Sequence, residues 1–217
     1  MIKRQIELIL LVVVTLAALP LQAGEWQPLE RAAILASLNQ IDRASYPEAD
    51  VVEAAWHKWV RYEADGTYEE YFESYFKVLT DKGVKQRRQL VSSFDVAYNS
   101  TEFTLAEIIS ADGSVRPIDV AANSRAAIDS GQIDDNIFDP DNRELILSLP
   151  ELKPGDTVHF VMHDVFRKAR VPGSFSDYVS FEDDTPIVLA RCTVDAPAVK
   201  PLQSIAVKDA RGSGLKA

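Results

Sequence analysis

Cysteine is almost missing from this chain: Cys192 is the only one among 217 residues. No internal disulfide can form, so the fold must be held by its core and not by covalent staples. Histidine is scarce too, with His57, His159 and His163 alone. His159 and His163 have the i,i+4 spacing of a helical metal pair, but Val158–His163 reads as strand. Four strand residues span roughly 13 Å, too far for one ion. Positive charge is in deficit, 23 Lys and Arg against 33 Asp and Glu, for a net charge of −10. That argues against nucleic acid or an anionic membrane as partner, since both need a basic surface. No G-x-S-x-G, H-E-x-x-H or P-loop is present, and no cofactor motif, so neither a cofactor nor a metal is expected. Past the first residues, no apolar run is long enough to span a bilayer.

The N-terminus has the three parts of a signal peptide. Lys3 and Arg4 form a positive start, Ile6 to Leu19 an apolar stretch, and Leu21-Gln22-Ala23 a small-residue cleavage site. Residues 1–23 are therefore expected to be removed and the chain exported to a periplasmic or extracellular space. That removal takes away Lys3, Arg4 and Glu7, leaves 194 of the 217 residues and moves the net charge to −11. The mature length suits one sizeable core.

Residues 24–50 read as a helical extension. From Trp26 to Ala44, Leu29, Ala32, Ala33, Ala36 and Ile41 recur at helical spacing, an amphipathic stripe expected to dock on its own domain. From Ala54 the period changes to that of strands. Trp56–Ala64 and Thr67–Thr80 flank Asp65-Gly66, a strong hairpin signal. In the second of these, Tyr68, Phe72, Phe76 and Val78 share one face, and Glu69, Tyr71, Glu73, Tyr75 and Leu79 the other; aromatics on both faces mark a central strand. Asp81-Lys82-Gly83 is expected to turn. Strands are expected at 87–98, 102–110 and 115–120, and a helical turn at 123–130. Arg143–Asp164 reads as strand, Lys153-Pro154-Gly155-Asp156 turn, strand, that is, a hairpin. Phe175–Phe181 and Ile187–Val194 supply the last strands. The expectation is a mainly β, antiparallel β-sandwich-like domain over 51–203, preceded by one amphipathic helix and followed by a flexible tail, 204–217.

Chemistry is thinly marked. Cys192 lies in a strand, on the face of Ala190 and Val194, where a small buried residue is expected and not a nucleophile. Asp134, Asp135, Asp139 and Asp141 make an acidic loop, a weak calcium candidate that lacks the glycine and spacing of an EF-hand loop. Tyr71, Tyr75 and Phe138 are the weak candidates for ligand contact. No residue is assigned a catalytic role.

The order of several segments carries a family likeness. Leu147 to Asp156, a strand running into L-P-x-L-x-P-G-D, is followed by an apolar strand. Val78 to Gly83, Ala106 to Val115 with Ala111-Asp112-Gly113, and Phe181 to Pro197 with Pro186, Arg191 and Pro197 stand in the same order. Together, over about Val52 to Leu202, these resemble the domain of unknown function numbered 3857, a transglutaminase-associated N-terminal domain of exported bacterial proteins. The resemblance implies an all-β, sandwich-like fold. It also implies a transglutaminase-like domain with a Cys–His–Asp triad downstream. The sequence to Ala217 offers no second cysteine and no histidine after His163, so no catalytic residue is carried over, and either a stand-alone member or a shortened frame is expected.

Three functions stay open on this reading. One is an exported, non-catalytic binding or accessory module for a transglutaminase-like or peptidase partner. A second is an enzyme whose catalytic domain is missing. The third is a carbohydrate-binding module using Tyr71, Tyr75 and a tryptophan.

Overall fold

A computed structural model describes residues 24–132 and 138–208. The elements in chain order are α1 (Arg31–Leu38), β1 (Val51–Tyr62), β2 (Tyr68–Val78), α2 (Asp81–Arg87), β3 (Gln89–Asp95), β4 (Asn99–Ile109), β5 (Val115–Pro117), α3 (Val120–Asn123), β6 (Ser124–Ile128), β7 (Asn142–Ser148), β8 (Thr157–Phe166) and β9 (Ala190–Asp195). Two sheets form a mainly β, mostly antiparallel sandwich. Sheet A has six strands in the order β5-β4-β8-β2-β1-β9, and sheet B three in the order β3-β7-β6. Among the described strands, β9 alone runs parallel to its neighbour, β1.

β1 and β2 pair as the hairpin expected around Asp65-Gly66. Gly66 has φ +92°, and a Cβ there would sit 2.6 Å from the Ser174 carbonyl oxygen, so both conformation and space demand glycine. β2 is central, held between β1 and β8.

The Arg143–Asp164 stretch is not a hairpin. β7 pairs with β3 and β6, whereas β8 inserts between β2 and β4 of the other sheet. The Pro154-Gly155-Asp156 turn is real, with Gly155 at φ +93° and the Asp156 carboxylate accepting from the Lys153 N–H at 3.0 Å. It carries the chain from one layer to the other. Leu147, Leu149 and Leu152 before the turn and Val158 and Phe160 after it join one core between the sheets, with Phe76, Val78, Leu90, Phe103 and Ile108.

Four other expectations need correction. Asp81-Lys82-Gly83 opens helix α2, capped by Thr80, whose hydroxyl accepts from the Gly83 N–H. Within 123–130 the chain forms strand β6, because pairing with β7 outweighs local preference; the helical turn lies just before it, at Val120–Asn123. Phe175–Phe181 is irregular and covers the sheet through side chains. The N-terminal helix is restricted to Arg31–Leu38. The preceding residues stay extended because Trp26 stacks on Tyr71 and the Leu29 N–H is spent on Glu73. Leu29, Ile34, Leu38 and Ile41 still bury their stripe, against Val52, Ala54, Ala55, Tyr75, Leu79 and Ile109 on the outer face of sheet A.

Candidate functional site

Alternation along β1, β2 and β8 sends His57, Trp59, Arg61, Glu69, Tyr71, Glu73, Tyr75, His159 and His163 to the outer face of sheet A. On β4 the register shifts between Phe103 and Leu105, one extra residue that turns both Glu102 and Glu107 to that face. Strict alternation would have separated them. The result is two rows across the strands, Trp59–Tyr71–His163–Glu102 and Ala55–Tyr75–His159–Glu107.

The second row is a buried polar chain. His159 Nδ1 lies 2.7 Å from Glu107 Oε1 and Nε2 lies 3.0 Å from Glu73 Oε1. Arg31 Nη1 also lies 3.2 Å from His159 Nδ1. The remaining oxygen of Glu73 accepts from the Leu29 N–H at 2.6 Å, and Arg31 of α1 closes the chain on Glu107. Burial pushes the Glu107 carboxyl up, but the bonds from His159 and Arg31 outweigh it and hold it below its ordinary value. Burial raises the Tyr75 phenol to about 12.

In the first row, Tyr71 is sandwiched between Trp26, at 4.7 Å, and His163, at 4.2 Å. His163 faces Glu69 at 3.4 Å and Glu102 at 3.5 Å. His57, isolated in the sequence, reaches Thr193 Oγ1 of β9 at 3.0 Å, and burial lowers its pKa. The three histidines thus share one face. Among the described residues, no group of three or more His, Cys, Asp or Glu is placed to hold a metal ion. The imidazole of His159 points its nitrogens at two separate carboxylates and not at a common centre.

The inner face of sheet A carries a different set. A shift between Glu53 and Ala55 in β1 turns Glu53 inward beside Trp56. Sheet B covers the β8 and β4 side. The β1 and β2 side is covered by residues 174–187, pegged by Phe175 on Tyr62 at 4.5 Å and Phe181 on Trp56 at 5.3 Å. Asp177 adds an ion pair to Lys58 at 2.9 Å. Between this segment and the start of β3 lies a cleft of about 460 Å³, walled by Trp56, Phe72, Phe160 and Leu90 and holding Glu53 and Arg87. Burial raises Glu53 to about 7, against the opposing hydroxyl of Ser74 and charge of Arg87. Burial likewise raises Glu70 to about 7, against Lys58.

The candidates named from sequence are scattered by this fold. Tyr75 is 1% exposed, Tyr71 lies under Trp26, and Phe138, 70% exposed, stands before β7 of sheet B. Asp139 and Asp141 lie in that same loop. They accept from backbone N–H groups, Asp139 from Asp141 and Asn142 and Asp141, through its carbonyl, from Val96. Asp134 and Asp135 fall outside the described residues. Cys192 is half-buried on β9, in register with Lys58, and burial raises its thiol pKa, which disfavours the thiolate. Sequence reasoning missed Glu53, Glu107, Arg31 and the pairing of Glu73 with His159. Glu69 and Glu73 on an aromatic face were visible, but their histidine partners both come from β8, 94 and 86 residues away respectively.

Two layers of strands, with a buried polar file on the outer face of the larger one, define a β-sandwich-like domain. The chain belongs to the Domain of Unknown Function family DUF3857, whose profile matches residues 64–214. No curated protein matches it in sequence. In fold it is similar to a candidate protease of Parabacteroides distasonis, with TM-score 0.58 and 11% identity over 70% of this chain. The chain spans 30% of that protein's length. Weaker likenesses are a family 3a carbohydrate-binding module with flanking linkers from the Clostridium thermocellum scaffoldin cipA and an M1 zinc metallopeptidase from Deinococcus radiodurans. The first has TM-score 0.32 and 13% identity, over 61% of this chain and 79% of that one. The second has TM-score 0.25 and 11% identity, over 55% and 21%. Among the described residues, no helix is long and apolar enough to cross a membrane.

Proposed function

We propose that this chain is an exported, non-catalytic β-sandwich module that binds or assists a transglutaminase-like or peptidase partner in a periplasmic or extracellular space. The observation that carries the reading is the commitment of its reactive groups. His159 faces Glu73 and Glu107 with its two nitrogens, and the Cys192 thiol is raised by burial with Lys58, not an imidazole, across from it. The signal-peptide pattern at 1–23 supports export. The likeness to a β portion of a larger candidate protease fits an accessory role. A carbohydrate-binding role would need an open aromatic platform, and Tyr75 is buried while Tyr71 is covered by Trp26.

The test is to purify the full chain, assay it for proteolysis and for amine incorporation into protein, and titrate it with a separately expressed transglutaminase-like or peptidase domain encoded beside it. Saturable binding without turnover is expected. Turnover that disappears in Cys192→Ala would overturn the reading.

A further inference from the structure

β3 is an edge strand with one partner, β7. The Leu149 N–H bonds the Arg88 carbonyl at 2.9 Å, which sets the phase of the ladder. Arg88, Leu90, Ser92 and Phe94 turn their backbone groups toward β7, and Gln89, Val91 and Ser93 turn theirs away. Among the described residues these outward groups have no hydrogen-bond partner. Leu90 is buried in the core below, and Val91, on the opposite face, is 53% exposed. The edges of sheet A are blunted: β5 has three residues and ends on Pro117, and β9 carries Arg191 and Asp195. The other edge of sheet B, β6, is shorter than β3, with five residues against seven, and carries Arg125. β3 carries no proline, and its edge opens beside the cleft walled by Leu90, Trp56, Phe72 and Phe160. That is the place a fourth strand of sheet B would occupy.

At the start of β3 the charge reverses that of the molecule, while Glu53, Glu182 and Asp183 stand in the cleft beside it. In a chain of net charge −10, Lys82, Lys85, Arg87 and Arg88 cluster at the start of β3. Lys82 is paired with Asp50. Lys85, Arg87 and Arg88 form no ion pair among the described residues. Arg87 lies over the Phe76 ring, 5.5 Å from its centroid, at the cleft.

We propose that β3 is a strand-addition site for an extended segment of another protein, which pairs antiparallel to β3 and sets alternate apolar side chains into the cleft. Antiparallel pairing brings the C-terminal end of that segment to Arg87 and Arg88, so the segment ends in acidic residues or a free carboxylate. Main-chain bonds to Gln89, Val91 and Ser93 supply affinity, and the apolar cleft and basic end supply selectivity. The inference rests on the chain being a binding module and specifies how it holds its partner.

The probe is a fluorescein-labelled peptide, Thr-Val-Thr-Val-Thr-Leu-Asp-Glu with a free carboxylate, titrated against the full chain by fluorescence anisotropy. Val91→Pro removes an outward N–H without touching the bonds to β7, a position where an edge strand tolerates proline. Arg88→Glu reverses the exposed charge and is the second variant, with near-UV circular dichroism checking that each is folded. Saturable binding that weakens about tenfold or more in both variants is expected. Absence of binding, or binding that Val91→Pro leaves unchanged, would overturn the proposal. So would a dimer of the chain that Val91→Pro dissolves, because the occupant would then be a second copy. None of these results touches the accessory-module reading, which fails only on Cys192-dependent turnover.

Discussion

The His159 imidazole lies flat on the Tyr75 ring, centroids 3.8 Å apart and planes 8° from parallel. The stack fixes the orientation in which one nitrogen meets Glu73 and the other Glu107. Glu73 is 1% exposed, so it has no water to turn to if the imidazole is lost. His159→Leu is expected to destabilise the fold by about 3–5 kcal/mol, because it strands a buried carboxylate. Glu107→Gln keeps an acceptor on the more exposed side and should cost about 1–2 kcal/mol. Urea unfolding of the two variants checks the order; an equal, small loss would show that His159 is not holding the file together.

Glu53 and Glu70 give stability a pH dependence. Both carboxyls are raised from 4.5 to about 7 by burial. A raised carboxyl favours the folded state while it is protonated. Its contribution is complete below the unfolded value near 4.5 and is lost as pH rises through about 7. Unfolding free energy should therefore fall between pH 5 and 7, and the decline should be shallower in Glu53→Gln. Denaturant titrations at half-unit pH intervals measure this slope, and an unchanged slope in the variant would assign the titration elsewhere.

Gly83 inverts a common rule. Gly→Ala inside a helix usually gains about 1 kcal/mol. Here a Cβ would lie 2.3 Å from the Asp50 carbonyl oxygen and 3.0 Å from Val51 Cγ2. Gly83→Ala is expected to cost about 1–3 kcal/mol instead, as overpacking does. Thermal unfolding decides the sign.

Cys192 should react slowly while the chain is folded. Its half-burial and raised pKa keep the thiolate fraction low. Labelling with a disulfide reagent at pH 7.5 should run about tenfold or more slower than in urea. A native rate matching the unfolded one would place the thiol in solvent.

The sequence carried the strand periods, the Asp65-Gly66 hairpin and the two faces of β2, because these are set by neighbours along the chain. The pairing of β7 and β8 was not legible. Alternating Leu145, Leu147 and Leu149 say which face is apolar but not which strand lies alongside. A Pro-Gly-Asp turn serves a hairpin or a change of layer equally well. The shifts at Glu53/Ala55 and Phe103/Leu105 hid the carboxylates for a related reason. Each inserts one residue, so strict alternation assigns Glu53 and Glu102 to the wrong face. The N-terminal helix is shorter than its periodicity predicts because two contacts, Trp26 on Tyr71 and the Leu29 N–H on Glu73, hold the residues before it extended.

β8 enters sheet A between strands made much earlier, setting Phe166 beside both Tyr68 and Asn99. Until the chain has been extended to that point, β2 and β4 have no common neighbour, and the larger layer exists only as separate ribbons. Such distant closure slows folding, since the entropy of a long loop is lost before the contacts form. The same strand that makes the layer continuous therefore makes it late: β2 and β4 stay unjoined until Thr157–Phe166 is available to lie between them.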